Sequence, residues 1–327
     1  MRLRDMVFQG TVWGPQLWNA FFGDCVVAIR GCSFDVVIYA DDCNAFKAYP
    51  RSTSDALIMD DLRECQQQLH KWGRANRVTF DAGKEETMIV SRTSVCGGPA
   101  KILGIEFNSK LVMGTASHNC AAKAAWKIRS LLRIHRFYSV NDLILLYKAH
   151  VLSYIEYRTP GLHFASTSVL HEIDDVQSRF LRQINVSDEA AFDSFNLAPL
   201  SVRRDIAMLG VIHRAACCEG PPPLWRFFRR DLGSSARRSR RSAQRHAREV
   251  VECNSVHNFE IMRRFALGMI RVYNLLPEDC VNTSKVSEFQ RFLSKLVRDR
   301  MNAGVVGWRF TLSPRHQLFQ NHPLTAR

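Results

Sequence analysis

The alternation of apolar and polar residues predicts β-structure near the start of the chain. Residues 34–40 form a β-branched and aromatic run, and residues 43–49 alternate between apolar and polar side chains. Two such runs separated by a short polar connection predict a β-hairpin. Asp41 and Asp42 occupy the connection, so the pattern places two adjacent carboxylates at the tip of this hairpin.

Helical periodicity surrounds the predicted hairpin. Pro15 suits the first turn of a helix, and apolar residues then recur at helical spacing at Leu17, Trp18, Phe21 and Phe22. A second apolar stripe predicts a helix that begins near Ser54: Ile58, Leu62, Cys65, Leu69 and Trp72. We expect the aromatic members of these stripes, and Trp126 further on, to be core residues. Residues 87–91 and 101–107 are predicted to be strands that return to the sheet.

Beyond about residue 116 the pattern predicts helices almost exclusively. Ser139 and Asp142 resemble a capping box ahead of an apolar stretch. One later helix is predicted from apolar residues on a single face, at Ile173, Val176, Phe180 and Ile184, and another over residues 286–301. The expected fold class is therefore α+β, with the strands confined to the first third of the chain.

Composition narrows the choice of partners. The chain has 327 residues, a formal net charge of +14 and a hydrophobic fraction of 46%, which allows a sizeable core. A basic surface field favours polyanions such as nucleic acid, although a basic protein without a bound partner fits the same charge. No apolar run reaches the roughly 20 residues of a membrane span, and no secretory signal is evident. We therefore expect an intracellular protein, nuclear or cytoplasmic, with no membrane partner and with its ten cysteines reduced.

The densest positive segment lies in an Arg/Ser-rich stretch near residues 229–248. It contains Arg237, Arg238, Arg240 and Arg241. Such a segment can hold the phosphates of RNA or DNA, or it can be a solvated linker. Few aromatic residues interleave there, so stacking with bases is not indicated.

Histidine and cysteine residues in the last third suggest a zinc site as a second possibility. His213 and Cys217, with Cys253 and His257, have tolerable ligand spacing. The two halves lie far apart in sequence, however, and His213 and Cys217 fall on an apolar helical pattern. We favour core positions for them and leave zinc open.

The paired aspartates carry the strongest chemical signal. Adjacent carboxylates raise each other's pKa unless a cation lies beside them, and Mg²⁺ binds through one or two carboxylates together with substrate phosphates. An ordinary polar turn would also favour aspartate. The flanking sequence decides between these two readings.

Residues 9–19, with the sequence QGTVWGPQLWN, and the tetrad Tyr39-Ala40-Asp41-Asp42 together resemble the palm of a reverse transcriptase of the non-LTR (LINE-type) retrotransposon kind. Residues 72–84 and 103–105 resemble the next blocks of that family, and residues 146–157 and 173–184 resemble its helical thumb. The resemblance implies an RNA-directed DNA polymerase that extends a primer 3′-hydroxyl with deoxynucleotide triphosphates on an RNA template.

The resemblance also implies roles for individual residues. Asp41 and Asp42 would hold two Mg²⁺ ions, and Tyr39 would lie near the primer end. Template and nucleotide contacts would involve Gln9, Gly10 and Lys84, and the primer grip would involve Leu103 and Gly104. The implied domains are a partial palm at 1–112, a helical thumb at 113–190 and a helical, basic C-terminal region at 191–327.

One part of the family pattern has no counterpart in the sequence. The family places a third carboxylate on a strand before the Gln-Gly loop and a fingers region before that strand, whereas only eight residues precede this loop. We therefore expect an N-terminally truncated enzyme with an incomplete metal site. The alternative is a catalytically inactive remnant that binds nucleic acid.

Overall fold

A computed structural model describes residues 10–93, 96–229, 246–252, 264–315 and 322–325. The chain forms two compact units, Met1–Val112 and Met113–Arg327. The described residues combine many helices with two small antiparallel sheets, so the fold is mixed helix and strand.

Unit 1 begins with a helix–helix–hairpin–helix sequence. Helices α1 (Gly14–Phe22) and α2 (Cys25–Arg30) precede strands β1 (Asp35–Tyr39) and β2 (Asp42–Phe46), and helix α3 (Asp55–Asn76) follows. Pro15 lies in the first turn of α1, as the sequence predicted. Ser54 caps α3 by accepting a hydrogen bond from the Leu57 amide, and Arg77 ends it in the left-handed conformation.

The core of unit 1 lies between the inner face of the hairpin and helices α2 and α3. Ile29, Phe34 and Cys65 are buried at its centre. The α3 stripe contributes Leu62 and Leu69, and the hairpin contributes Val36, Cys43 and Ala45. Successive strand residues point to opposite faces, so this packing leaves the face of Val37, Tyr39 and Phe46 exposed.

The second hairpin departs from the sequence prediction. Residues 101–107 were expected to be one strand, but they belong to two strands, β3 (Ala100–Ile102) and β4 (Ile105–Phe107), joined by a two-residue turn. Leu103 and Gly104 form this turn with positive φ angles of 48° and 78°, a conformation that ends an extended run. Within the described residues, β3–β4 does not join the β1–β2 sheet, and residues 87–91 contribute only the isolated bridge Met88–Gly97.

Apart from one bridge residue, Val250, the regular elements among the described residues of unit 2 are helices. Its α-helices are α4 (Gly114–Leu132), α5 (Val140–Tyr147), α6 (Ser153–Glu156), α7 (Thr159–Leu162), α8 (Thr167–Gln183), α9 (Asp188–Phe195), α10 (Leu200–Ala216), α11 (Pro222–Phe227), α12 (Ile270–Asn274), α13 (Glu278–Val281) and α14 (Val286–Asn302). A π-helical turn, Lys148–Leu152, joins α5 to α6. The capping box at Ser139 and Asp142 is present at the start of α5, as predicted.

Two helix pairs organise this unit: α4 packs along α8, and α10 packs along α14. The predicted stripe of α8 is buried at Ile173, Val176 and Phe180. Gln177 accepts a hydrogen bond from the Tyr147 hydroxyl and donates one to the Ala198 carbonyl. Buried polar groups need such partners, and these bonds tie α5 and α8 to the segment that leads into α10.

Two aromatic residues expected in the core are instead exposed. Phe21 is 40% exposed and Trp126 is 53% exposed. Helical spacing places a side chain on a face, but it does not say whether another element covers that face. Within the described part of the chain, no helix combines the length and apolar character that a membrane crossing requires.

Candidate functional site at the hairpin turn

The two aspartates lie at the tight end of the β1–β2 hairpin. Tyr39 pairs with Asp42 as the last register position, and Ala40 and Asp41 form the turn between them. Asp42 is thus the first residue of β2 rather than part of the turn. Both carboxylates are exposed, so they can accept a cation from solvent without a desolvation cost to the protein interior.

The turn is held from outside the hairpin. Ala40 has a φ angle of 54°, which is unfavourable for a residue with a Cβ. The indole N–H of Trp18, on helix α1, donates a hydrogen bond of 2.9 Å to the Ala40 carbonyl oxygen. This bond fixes the peptide that leads into Asp41. It is also a direct link between the loop–helix element and the hairpin tip, the two parts of the sequence that carry the family resemblance.

An aromatic cluster fixes Trp18 in turn. Its ring stacks on Phe22 at 5.0 Å between centroids, and Phe22 is buried. Phe22 meets Trp72 of α3 edge-on at 5.8 Å, and Trp72 meets Phe80 at 6.4 Å. Offset and edge-to-face pairs are the favoured arrangements of aromatic rings. The cluster therefore packs α1 against α3, and this packing fixes Trp18 where its indole bonds the turn.

The opposite end of the hairpin is tied to α3 by an ion pair. The Lys47 ammonium lies 2.7 Å from the Asp61 carboxylate, and the Tyr49 hydroxyl donates to the same oxygen at 3.1 Å. The hydrogen bond from Lys47, with help from Tyr49, holds the pKa of Asp61 below its usual value. The strand that begins with Asp42 is thus anchored just beyond its far end.

The other residues predicted for template and nucleotide contact are spread over the unit. Tyr39 is 65% exposed and lies opposite Asp42. Gly10 is exposed, with a φ angle of 86°. The Lys84 side chain extends into solvent, and its ammonium lies 3.6 Å from Asp81. Among the described residues Lys84 makes no ion pair with Asp41 or Asp42.

The predicted primer-grip pair, Leu103 and Gly104, forms the turn of the β3–β4 hairpin. Both residues project at the end of the hairpin, where Leu103 is 37% exposed.

Several predicted residues lie outside the described ranges. These are Gln9, the arginines 237, 238, 240 and 241, and two members of the suggested zinc set, Cys253 and His257. Within the described ranges, no group of three or more His, Cys, Asp or Glu side chains is placed to hold a metal. Asp35, the other acidic residue of the hairpin, pairs with Phe46 at the end away from the turn.

His213 occupies a core position rather than a metal-binding one. Its ring is fully buried and stacks on Phe289 at 4.0 Å. Nε2–H donates to the Thr283 carbonyl at 2.9 Å, and Nδ1 accepts from the Tyr273 hydroxyl at 3.0 Å. Burial lowers the pKa of His213 to about 4, so the ring is neutral near pH 7. Both ring nitrogens are occupied, and neither is available to a metal.

Comparison with protein-family models, with curated proteins and with solved structures finds no match to this chain.

One structural contributor to the site was missed by sequence reasoning. Trp18 was assigned to the core by its spacing from Phe22, yet it is only partly buried, and its indole N–H bonds the turn. Partial burial with one polar end directed at a partner is typical of tryptophan. Nothing in the one-dimensional pattern links residue 18 to residue 40.

Proposed function

We propose that unit 1 is part of a reverse-transcriptase palm of the non-LTR retrotransposon kind and that Asp41 and Asp42 are metal ligands for nucleotidyl transfer. The observation that carries the proposal is the braced turn. Two adjacent exposed carboxylates lie at a hairpin end whose backbone is held by Trp18, on the helix that follows the Gln-Gly loop. The resemblance of residues 9–19 and 39–42 supplies the reaction, an RNA-templated extension of a DNA primer.

The donor set fits part of a magnesium site. Mg²⁺ prefers oxygen ligands and commonly uses one or two carboxylates together with substrate phosphates. When bound, a pair of such ions would neutralise charge on the attacking and leaving oxygens. The protein's own contribution is positional. Asp41 is oriented by the turn, Asp42 by its strand pairing, and Tyr39 offers an exposed ring beside them.

A second function has its own support. Only two carboxylates, those of Asp41 and Asp42, belong to the turn end of the hairpin among the described residues, and polymerase chemistry of this type uses a third. A remnant that binds nucleic acid without catalysis would need the net charge of +14 but not the complete metal site.

Primer extension on an RNA template separates the two functions. If unit 1 is an active polymerase palm, the chain should incorporate deoxynucleotides only in the presence of Mg²⁺. Asp41→Ala and Asp42→Asn should each reduce this incorporation at least about a hundredfold. Asp35→Asn is the matched control, because it removes an exposed carboxylate from the far end of the same hairpin. It should leave incorporation unchanged.

Metal binding gives a readout that does not depend on turnover. Mn²⁺ titration followed by electron paramagnetic resonance should show sites that Asp41→Ala weakens and Asp35→Asn does not. Salt-sensitive RNA binding without incorporation favours the remnant. If the chain neither incorporates nucleotides nor binds RNA, both the polymerase and the nucleic-acid-binding remnant are wrong proposals.

A further inference from the structure

Unit 2 has an exposed surface that combines aromatic rings with Lys and Arg side chains. It is formed by one face of α4, by the segment that follows this helix, and by α6 with the two residues after it. Trp126 of α4 is 53% exposed, Tyr157 is 58% exposed and Phe137 is 70% exposed. We call this surface the basic aromatic face and define it by these three rings, the ring of Tyr154 and six cations: Lys123, Lys127, Arg129, Arg133, Arg136 and Arg158.

Two of the exposed rings have a cation from their own segment beside them. The Lys123 ammonium lies 4.7 Å from the Trp126 ring centre, and Arg136 lies 4.8 Å from that of Phe137. These cations partly order rings that remain accessible to solvent.

Tyr154 joins the two helices that form the face. Lys127 of α4 lies 5.5 Å from its ring centre, and Arg158 lies 3.9 Å from it. Arg158 also donates a hydrogen bond of 2.9 Å to the Tyr154 carbonyl oxygen. The cations of α4 and of the α6 segment are thus brought to a shared tyrosine, which gives the face a fixed charge arrangement.

The charge of this face is not neutralised locally. Residues 113–160 contain seven Lys and Arg residues but only two acidic ones, Asp142 and Glu156. Asp142 is engaged in the capping box of α5, and Glu156 lies 2.5 Å from Arg203 of α10. Among the described residues, none of the six cations of the face forms an ion pair with a carboxylate.

We propose that the basic aromatic face binds single-stranded nucleic acid, with bases stacked on Trp126 and Tyr157 and phosphates held by the surrounding cations. Accessible rings offer a π-face to any unstacked base, and Lys and Arg side chains that form no ion pair attract the phosphate backbone. A duplex hides its bases within the stack, so the exposed rings fit a single strand better. This inference rests on unit 2 alone and holds whether or not unit 1 is a polymerase.

The decisive experiment compares two labelled single strands by fluorescence anisotropy with the full chain. One is an oligothymidine of about 20 nucleotides, and the other is an abasic strand of the same length, which keeps the phosphates but has no bases. Trp126→Ala and Tyr157→Ala should each weaken oligothymidine binding about tenfold and leave the abasic strand nearly unaffected. Trp126→Leu keeps apolar bulk without an aromatic ring, and it should weaken oligothymidine binding as much as Trp126→Ala does.

Helix α14 supplies a matched control. Phe292 is 44% exposed there, and the exposed Lys295 follows it by three residues, as Lys123 and Trp126 are three residues apart on α4. Phe292→Ala and Lys295→Gln should leave binding unchanged. Lys123→Gln and Arg129→Gln should instead each reduce the salt dependence of binding, by a slope of about 0.7.

Three results would overturn the proposal. In the first, the aromatic variants weaken both strands equally, which would exclude stacking. In the second, they weaken neither strand. In the third, Trp126 matters for binding to phosphatidylserine-containing vesicles but not to oligothymidine, which would make the face a membrane surface. Because Asp41→Ala should not change oligothymidine binding, failure here is distinguishable from failure of the polymerase proposal.

Discussion

At the scale of single residues, His213 gives a prediction about pH. Its folded-state pKa is lowered to about 4, chiefly by burial, whereas an unfolded chain has an ordinary histidine with a pKa near 6.5. Between these values the unfolded state binds more protons, so the free energy of unfolding should fall as pH falls from about 6.5 to 4. The loss attributable to His213 is about 3 kcal/mol. Urea unfolding at a series of pH values measures it.

The control for this prediction is His213→Gln, which keeps polar atoms at the site but does not titrate. The variant should have a shallower slope over the same pH window. Some slope should remain, because burial also lowers the pKa of His163. Asp61 and Glu288 have lowered pKa values as well, but the stability that these carboxylates contribute to the fold is lost only at lower pH, below about 4. An unchanged slope in His213→Gln would show that the ring is not neutral and buried in the folded state.

At the scale of elements, the turn of the β3–β4 hairpin can be improved. Leu103 has a φ angle of 48°, which a branched side chain adopts only at a cost, and Gly104 follows with a φ angle of 78°. Asn-Gly is the preferred pair for a two-residue turn of this kind. We expect Leu103→Asn to raise the free energy of unfolding by about 0.5–1 kcal/mol, measured by urea denaturation.

Ile102 is the matched control for Leu103. It has almost the same exposure, 38% against 37%, but lies in β3 without a positive φ. Ile102→Asn loses the same kind of apolar surface without relief of backbone strain, and it should destabilise the chain. If Leu103→Asn and Ile102→Asn destabilise the chain equally, the positive φ angle of Leu103 does not strain the backbone.

The elements also show how far sequence reasoning reaches. The α3 stripe and the capping box of α5 were predicted because their signals are local: periodicity within one helix, and a side chain three residues from its partner. The β3–β4 turn was missed because Leu103 has no turn propensity, and its left-handed conformation depends on the pairing of Ile102 with Ile105. At the candidate site, the hairpin and its aspartates were predictable, but the Trp18 bond was not.

The basic aromatic face was missed for a similar reason. Its α4 and α6 parts are separated by 20 residues, 133–152, and Lys127 reaches Tyr154 only after the helices have packed. In the sequence, Trp126 reads as a core residue because large aromatic side chains usually are. The Arg-rich segment near residue 240 drew attention instead, because its charge is contiguous.

At the scale of the whole molecule, the two units should be separable in stability. The main core of unit 2 consists of unit 2 residues only, including Tyr273, Phe289 and Leu293, all fully buried. A segment with its own closed core is expected to fold alone. We predict that residues 113–327, expressed without unit 1, give a helical circular dichroism spectrum and one cooperative thermal transition.

Phe289→Ala makes this prediction quantitative. The ring is fully buried between His213 and Tyr273, and its removal should cost about 3–5 kcal/mol of unfolding free energy. If the unit is self-contained, this loss should be the same, to within about 0.5 kcal/mol, in the fragment and in the unit 2 transition of the full chain, because independent units give additive effects. A markedly larger loss in the full chain would mean that the core of unit 2 depends on unit 1. The division of the chain at Val112 would then have no energetic meaning.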